Sequence, residues 1–187
     1  TGGAGFIGSH LVDLLLKEGH DIKVLDNFST GRIQNVQHVH NDIEIINCDL
    51  ANAGKWEEYF KNIDWVFHLA SLADIVPSIK DPKSYFQSNV NATFNVLQAA
   101  QRNEVNRFIY TASSSCYGIP KIYPTPETAS INPQYPYALT ERLGEELVMH
   151  WAQIYKLPAI SLRLFNVYGP RSRTSGTYGA VFGVFLA

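Results

Sequence analysis

Cysteine is scarce: Cys48 and Cys116 are the only two in 187 residues. Two thiols build no disulfide framework, and both read as reduced core residues near strand ends. The six histidines, His10, His20, His38, His40, His68 and His150, show no metal-ligand spacing. His38 and His40 alternate, but no cysteine is placed with them and the pattern lacks the ligand set of a structural zinc site, so no metal is expected. Charge is sparse as well. Charged residues make up 17% of the chain and the formal net charge is −2. No basic run offers a surface to nucleic acid or to an anionic membrane. No apolar stretch approaches the roughly 18–20 residues that span a bilayer. No leader segment is recognisable, and the expected compartment is the cytoplasm. Apolar material is plentiful at 45%, enough for one globular domain with a sizeable core.

The chain opens Thr-Gly-Gly-Ala-Gly-Phe-Ile-Gly. Gly2, Gly5 and Gly8 have the spacing G-x-x-G-x-x-G. In such a loop the first glycine permits a tight turn from strand to helix. The second lets the backbone approach a pyrophosphate, and the third lets the helix pack close to its sheet. The helix behind it carries an apolar stripe at Leu11, Val12, Leu14, Leu15 and Leu16 and stops at Glu18-Gly19. Its first N–H groups and positive dipole end would face the anion. Glycine triplets alone are weak evidence, because surface turns show them too. The test is a strand ending in an acid about 20 residues on. Ile22-Lys23-Val24-Leu25-Asp26 meets it. Asp26 would accept bonds from ribose hydroxyls and repel a 2′-phosphate, which favours NAD over NADP. The bland alternative is a surface turn aspartate.

Apolar strand patterns alternate with helical ones along the whole chain. Strands are expected at residues 22–26, 43–46, 64–69, 107–111 and 158–165. Helices are expected after the glycine loop, around 56–60, over 81–103 and over 135–156. The 81–103 helix would bury Phe86, Val90, Phe94, Leu97 and Ala100. The 135–156 helix would bury Leu143, Leu147, Trp151 and Ile154. This alternation implies βαβ units. The expected fold is α/β, a Rossmann-type doubly wound parallel sheet with helices on both faces. The Pro-rich stretch 119–136 comes after the carboxyl end of a strand, where open α/β sheets place ligands.

Three features converge near that stretch. Ser113, Ser114 and Ser115 come at a strand end, Tyr137 opens a long helix, and Asn166 comes after the last clear strand. A buried tyrosine beside serine hydroxyls and a nicotinamide can act as a general base on a sugar or alcohol hydroxyl. Taken singly, each has a plain structural reading: packed aromatic, strand-end caps, turn residue.

With these pieces in place, the sequence resembles the extended short-chain dehydrogenase/reductase family, and within it the NAD-dependent nucleotide-sugar epimerases and dehydratases. The matching segments include TGGAGFIG, Asp26-Asn27-Phe28, Cys48-Asp49-Leu50, His68-Leu69-Ala70 and Ser88-Asn89-Val90-Asn91. Further along they include the run from Ser113 to Gly118, Pro136-Tyr137 and the run from Arg163 to Pro170. The resemblance covers essentially the whole chain. It implies that Gly2, Gly5, Phe6 and Ile7 hold the pyrophosphate. Asp26 and Asn27 would hold the adenosine ribose, with Ser29, Thr30 and Gly31 beside it. Asp49 and Leu50 would flank the adenine, and Leu69, Ala70 and Asn89 would line the cofactor channel. Ser113 and Tyr137 would meet the reacting hydroxyl, with Ser115 close by. Asn166 would meet the nucleotide-sugar diphosphate.

The implied chemistry is an internal redox cycle at C4 of a UDP-hexose, UDP-hexuronate or UDP-N-acetylhexosamine. Tyr137 takes the O4 proton while C4 gives a hydride to NAD. The 4-keto sugar turns over, and the hydride returns to its other face. One departure bears on this. The family has a lysine four residues after the tyrosine, and this chain has Glu141. A negative charge there would disfavour the Tyr137 phenolate, so NAD binding with poor turnover is the alternative. Arg142, one residue further, would point away from the Tyr137 face. Ala73 stands where some members have a lysine near the substrate diphosphate, which loosens any link to a UDP-galactose branch. Dehydratases carry an acid pair where this chain has Ser114 and Ser115, so dehydration is disfavoured and a sugar reductase is the lesser alternative.

The resemblance also implies a larger protein. Residues 1–165 would form the NAD-binding domain without its first strand, the central one of the sheet, and the chain alone would bind NAD weakly. Residues 166–187 would begin the nucleotide-sugar-binding region, with a helix starting near 178. Roughly 120 more residues would complete that lobe, within the size range of one larger protein. A homodimer would form through helices 81–103 and 135–156.

Overall fold

In the computed structural model, residues 1–172 are described. The expected helix near 178, and most of the 166–187 region, lie outside them. The glycine loop runs straight into helix α1 (Phe6–Lys17). Gly19, at φ +83°, closes that helix in the left-handed region. Its N–H reaches Leu16 O and that of His20 reaches Leu15 O, a Schellman closure. Strand β1 (Ile22–Asp26) pairs in parallel with β2 (Ile43–Asn47). Strand β3 (Trp65–His68) pairs in parallel with β4 (Arg107–Ser113), and β4 with β5 (Ala159–Leu164). All five carboxyl ends therefore lie on one edge.

The parallel sheet is realised in two parts, β1–β2 and β3–β4–β5. Thr1 and Gly2 bridge them. Gly2 N–H donates to Leu25 O at 2.9 Å, and Leu69 N–H donates to Thr1 O at 3.2 Å. The glycine loop is thus held by backbone bonds from both halves.

The segment between β3 and β4 differs from the single expected helix. Helix α2 (Ile75–Lys80) comes first. Helix α3 (Pro82–Tyr85) is next, capped by the Asp81 carboxylate on Ser84 N. One π turn, Phe86–Asn91, leads into α4 (Ala92–Arg102). A π turn adds a residue and rotates the helical turns on its N-terminal side relative to those on its C-terminal side. The expected apolar stripe is therefore broken. Phe86 and Phe94 are exposed, whereas the polar Asn89 and Thr93 are buried. Helix α5 (Pro136–Ile154) departs in the same sense. Its buried positions are Ala138, Thr140, Glu141, Gly144, Glu145, Val148 and Trp151, and Ile154 is exposed. The expected helix around residue 56 is a 3-10 turn, Lys55–Phe60, whose Trp56 and Phe60 are buried.

The core lies between the β3–β4–β5 sheet and helices α4 and α5. Phe108, Val96, Leu97, Ala100 and Val148 are fully enclosed in it. Among the described residues, no helix is long and apolar enough to cross a membrane. Cys48 and Cys116 are both free thiols.

Gly144 sets how closely α5 approaches β4. A Cβ there would lie 3.0 Å from Tyr110 Cζ and nearer still to its hydroxyl. Gly144→Ala is expected to cost about 1–3 kcal/mol in urea denaturation through overpacking. Adding Tyr110→Phe should recover part of the loss. If the single substitution stabilises the protein through helix propensity, this account of the contact fails.

Candidate functional site

A cleft opens along the carboxyl edge of β1 and β2. The glycine loop forms its floor through Gly2 and Gly5. One wall carries Asp26, Asn27, Ser29, Thr30 and Gly31, with Asp49 and Leu50 behind them. The other wall carries Leu69 and Ala70. Eleven residues assigned from the sequence to one cofactor thus line one cleft. Cys48, Ser71, Leu72, Ser88 and Ala92 line it too. None of these five was assigned to the cofactor from the sequence, because small wall residues carry no distinctive chemical signature.

The loop geometry demands its glycines at the two closest approaches. Gly2 sits at φ +71°, and a Cβ on it would fall 2.7 Å from Ala70 N. A Cβ on Gly8 would collide with Gly2 O and lie 2.8 Å from Gly3 Cα. Gly5 is the N-cap of α1 and supplies no side-chain cap, and no acid occupies the first turn. The helix N-terminus, which begins with Phe6 and Ile7, therefore offers uncapped N–H groups to an anion.

Asp26 is buried, and part of its carboxylate is committed. Ala4 N–H donates to Oδ2 at 2.9 Å and Phe28 N–H donates to Oδ1 at 2.9 Å. The acid therefore shapes both the phosphate loop and the turn beyond β1. Each oxygen keeps a free lone pair for a ribose hydroxyl. A cleft with a close-approach glycine floor, an uncapped helix end and an acid at the far end fits a dinucleotide such as NAD.

The second cluster lies at the end of β4. Ser113 is the last strand residue, and its Oγ accepts from Ser115 N at 3.1 Å, which caps the 3-10 turn Ser114–Tyr117. Tyr137 is the second residue of α5, after Pro136 in the first turn. The Tyr137 ring packs edge-on against Tyr85 at 6.4 Å between centroids. Burial pushes the Tyr137 phenol well above its ordinary value, and the Glu141 carboxyl adds to the rise. The Ser113 and Ser115 hydroxyls near the phenol oppose it. Ser115 Oγ is close to the phenol yet outside hydrogen-bond geometry, and it is buried with no other partner. Asn166 is exposed just beyond β5, and the structure does not bring it into this cluster by a hydrogen bond.

Glu141 comes one helical turn after Tyr137 and is only 2% exposed. Burial raises its carboxyl to about 8, the Ser71 hydroxyl bonding to it opposes this, and the Glu145 charge adds to the rise. At neutral pH the residue is therefore mainly the uncharged acid. The expected opposition to the phenolate is present, because the Glu141 carboxyl adds to the rise of Tyr137; below about pH 8 that carboxyl is itself mainly protonated, so there the family's lysine position chiefly lacks a cation. Arg142 is taken up by Glu145 and Glu146, with which it pairs.

Asn89 does not line the cleft. It is 1% exposed, and its amide is used inside the protein. Its Oδ1 accepts from Leu72 N at 2.8 Å. Its Nδ2 faces Leu72 O at 3.0 Å, Thr140 Oγ1 at 3.1 Å and Glu141 Oε1 at 3.3 Å. Asn89 thus joins the cleft wall to the helix that carries Tyr137.

Residues 1–186 match the model of the NAD dependent epimerase/dehydratase family. The UDP-glucose 4-epimerase of Mycolicibacterium smegmatis is 36% identical over 187 residues, covering 97% of this chain and 59% of that protein. Among solved structures, a UDP-N-acetylglucosamine 4-epimerase from Methanobrevibacter ruminantium, in complex with UDP-N-acetylmuramic acid, superposes with a TM-score of 0.93. It is 35% identical, over 99% of this chain and 59% of that one. The UDP-glucose 4-epimerase of Thermus thermophilus in complex with NAD gives a TM-score of 0.88 at 34% identity, over 95% and 58%. The chain thus spans about three-fifths of the length of these relatives.

The buried acid has a measurable consequence. The folded chain holds the Glu141 proton up to about pH 8, against an ordinary value of 4.5. Unfolding between those limits releases a proton, so stability falls as pH rises through that window. Urea midpoints taken from pH 5 to 8 are expected to decline by up to roughly 1 kcal/mol per pH unit from this group. Glu141→Gln should flatten that slope. Parallel profiles for the two proteins would contradict the assignment.

Proposed function

Because the chain belongs to the NAD-dependent epimerase/dehydratase family, we propose that the complete protein epimerises a nucleotide sugar at C4 of a UDP-hexose. The route is transient oxidation to a 4-keto sugar. The observation that carries this reading is the placement of Tyr137 with Ser113 and Ser115 at the β4 end, on the same sheet edge as the glycine-floored cleft. NAD, when bound, supplies an acceptor and donor of hydride for the sugar carbon.

The chain's own residues do the rest. The N–H groups of Phe6 and Ile7 hold the pyrophosphate, and Gly2 and Gly5, tied by the Gly5 N–H to Gly2 O bond, let the backbone come close to it. Asp26 and Asn27 bind the adenosine ribose, with Ser29, Thr30 and Gly31 beside them, and Asp49 and Leu50 flank the adenine. Leu69 and Ala70 form the inner wall and exclude water from it. Tyr137 Oη, in its phenolate form, takes the proton of the sugar O4 hydroxyl and returns it after the sugar has turned. Ser113 Oγ orients that hydroxyl, and Ser115 Oγ, buried without a partner, is free to share the proton's position. Asn166 meets the diphosphate. Ser114 and Ser115 provide no carboxylic acid for a leaving hydroxyl, which disfavours dehydration. The exposed Phe86, Phe94, Leu139 and Met149 on the two long helical segments support a homodimer through them. The free thiols suit a reducing compartment, the cytoplasm.

A second reading, impaired turnover, is favoured by one observation. Tyr137 is raised by burial and by Glu141, and the family's lysine position supplies no cation to lower it. NAD would then be bound and the sugar converted slowly.

The complete protein, assayed with UDP-glucose, UDP-N-acetylglucosamine and UDP-glucuronate, is expected to convert at least one of them at a low kcat. Glu141→Lys should raise kcat by about 10–100-fold, within the range of a tuned general base. Tyr137→Phe should abolish turnover. An unchanged kcat in Glu141→Lys would refute the role given to Glu141. NAD binding with no conversion by either protein would leave a binding module.

A further inference from the structure

We propose that Glu145 and Arg163 are positioning residues that lock the serine turn and the 119–135 loop onto the Tyr137 helix. This inference deepens the epimerase reading and rests on its assignment of Ser113 and Tyr137.

Tyr137, Glu141 and Glu145 are spaced four residues apart, so they share one face of α5. Glu145 is 5% exposed. An acid this deep needs its lone pairs satisfied. Arg142 Nη1 donates to Oε2 at 2.8 Å, and Ser161 Oγ donates to Oε1 at 3.1 Å. Arg163 Nε reaches both oxygens, at 2.9 and 3.1 Å. One carboxylate on α5 is therefore tied twice to β5, through Ser161 and Arg163.

Arg163 spends its other donors away from Glu145. Its Nη1 donates to Tyr117 Oη at 2.8 Å and to Glu127 O at 3.2 Å. Its guanidinium lies 5.0 Å from the Tyr117 ring centroid. Tyr117 ends the 3-10 turn that begins at Ser114, directly after Ser113. Glu127 lies in the middle of the loop that runs from this turn to α5. That loop also returns to the turn through Asn132 N, which donates to Cys116 O at 2.9 Å. A single planar fork thus fixes helix, serine turn and loop together. A lysine, as a point charge, cannot make these divergent contacts at once.

None of these atoms touches the reacting hydroxyl, and none belongs to the cofactor cleft. Loss of the fork should therefore misplace Ser113 relative to Tyr137 and leave the dinucleotide site intact. Misplacement near 1 Å is enough to slow chemistry by about 100-fold.

The experiment uses the complete protein with Arg163→Met, Arg163→Lys, Glu145→Gln and the milder Tyr117→Phe. Expected results are a kcat lower by about 10–100-fold in the arginine variants, an NAD Kd unchanged within about twofold, and no rescue by lysine. Amide hydrogen exchange over residues 114–132 should quicken by about tenfold or more, while α1 and β1 keep their protection. Tyr117→Phe should give the same pattern at smaller size, and it decides the question if Arg163→Met does not fold. The proposal is overturned by a wild-type kcat in a folded arginine variant, by full rescue with lysine, or by exchange that rises uniformly along the chain. If the wild-type protein converts no nucleotide sugar, the epimerase reading fails. The exchange pattern alone then decides the lock.

Discussion

One buried side chain, Asn89, holds the two halves of the site in register. Its amide answers both backbone groups of Leu72 and approaches Thr140 and Glu141 on α5. The Asn89 backbone carbonyl accepts the Thr93 hydroxyl at 2.5 Å. From Thr93 the chain of bonds continues outward. His68 Nε2 lies 2.9 Å from Thr93 Oγ1, and His68 Nδ1 lies 2.7 Å from Thr1 Oγ1. Because the Thr93 proton is given to Asn89 O, His68 must carry its proton on Nε2 and accept from Thr1 on Nδ1. Burial pushes His68 down to about 3, so this relay is neutral throughout the physiological range. A neutral, fully paired network can be buried without the desolvation penalty of an ion. It connects the start of the glycine loop to the helix that bears Tyr137.

That network also explains why a carboxyl is tolerated at Glu141. In an enclosed setting the charged form is disfavoured, so the group keeps its proton, stays uncharged and meets Asn89 and Ser71. A lysine at the same place would face the opposite problem, since burial lowers an ammonium. It would need a charge partner such as a phenolate or a bound anion. The energetic meaning of the replacement is therefore local: the Tyr137 phenol lacks a cation at its side, and its ionisation is opposed first by burial and then by Glu141.

The glycine-floored cleft was legible in the sequence because the pattern behind it is periodic and short-range. Gly2, Gly5 and Gly8, with Asp26 beyond them, define a loop, a helix end and an acid. The loop and the acid meet in one cleft with Ser29, Thr30 and Leu69. The fold class was legible in the alternation of strand and helix patterns. The helix faces were misjudged for a physical reason. The apolar pattern placed Phe86, Phe94 and Ile154 inside, and they are exposed, whereas Leu97, Ala100 and Trp151 are buried and Leu147 packs against the core. Asn89, Thr93, Thr140, Glu141 and Glu145 are buried as well, with hydrogen bonds that no hydropathy pattern encodes. The π turn at Phe86–Asn91 has no sequence signature either, and it is what turns Asn89 inward. Long-range pairs such as Arg163 with Tyr117 join residues 46 positions apart and become visible only when β4 and β5 lie side by side.

Helix α5 then reads as a single ladder of function. Tyr137 sits at its start, where Pro136 and an extended Tyr135 fix the entry of the chain. One turn on, Glu141 meets Asn89 and the cleft wall. Another turn on, Glu145 meets β5 and, through Arg163, the serine turn and loop. Gly144 lies between these last two and lets Tyr110 of β4 press against the helix backbone, within 3.5 Å of Glu141 O. The helix is anchored at three heights to three different elements, so the phenol at its tip inherits its position from contacts up to two turns away. The position of the Tyr137 phenol therefore depends on buried polar pairs as much as on the apolar core, because apolar packing alone is non-directional and tolerates small slides of a helix.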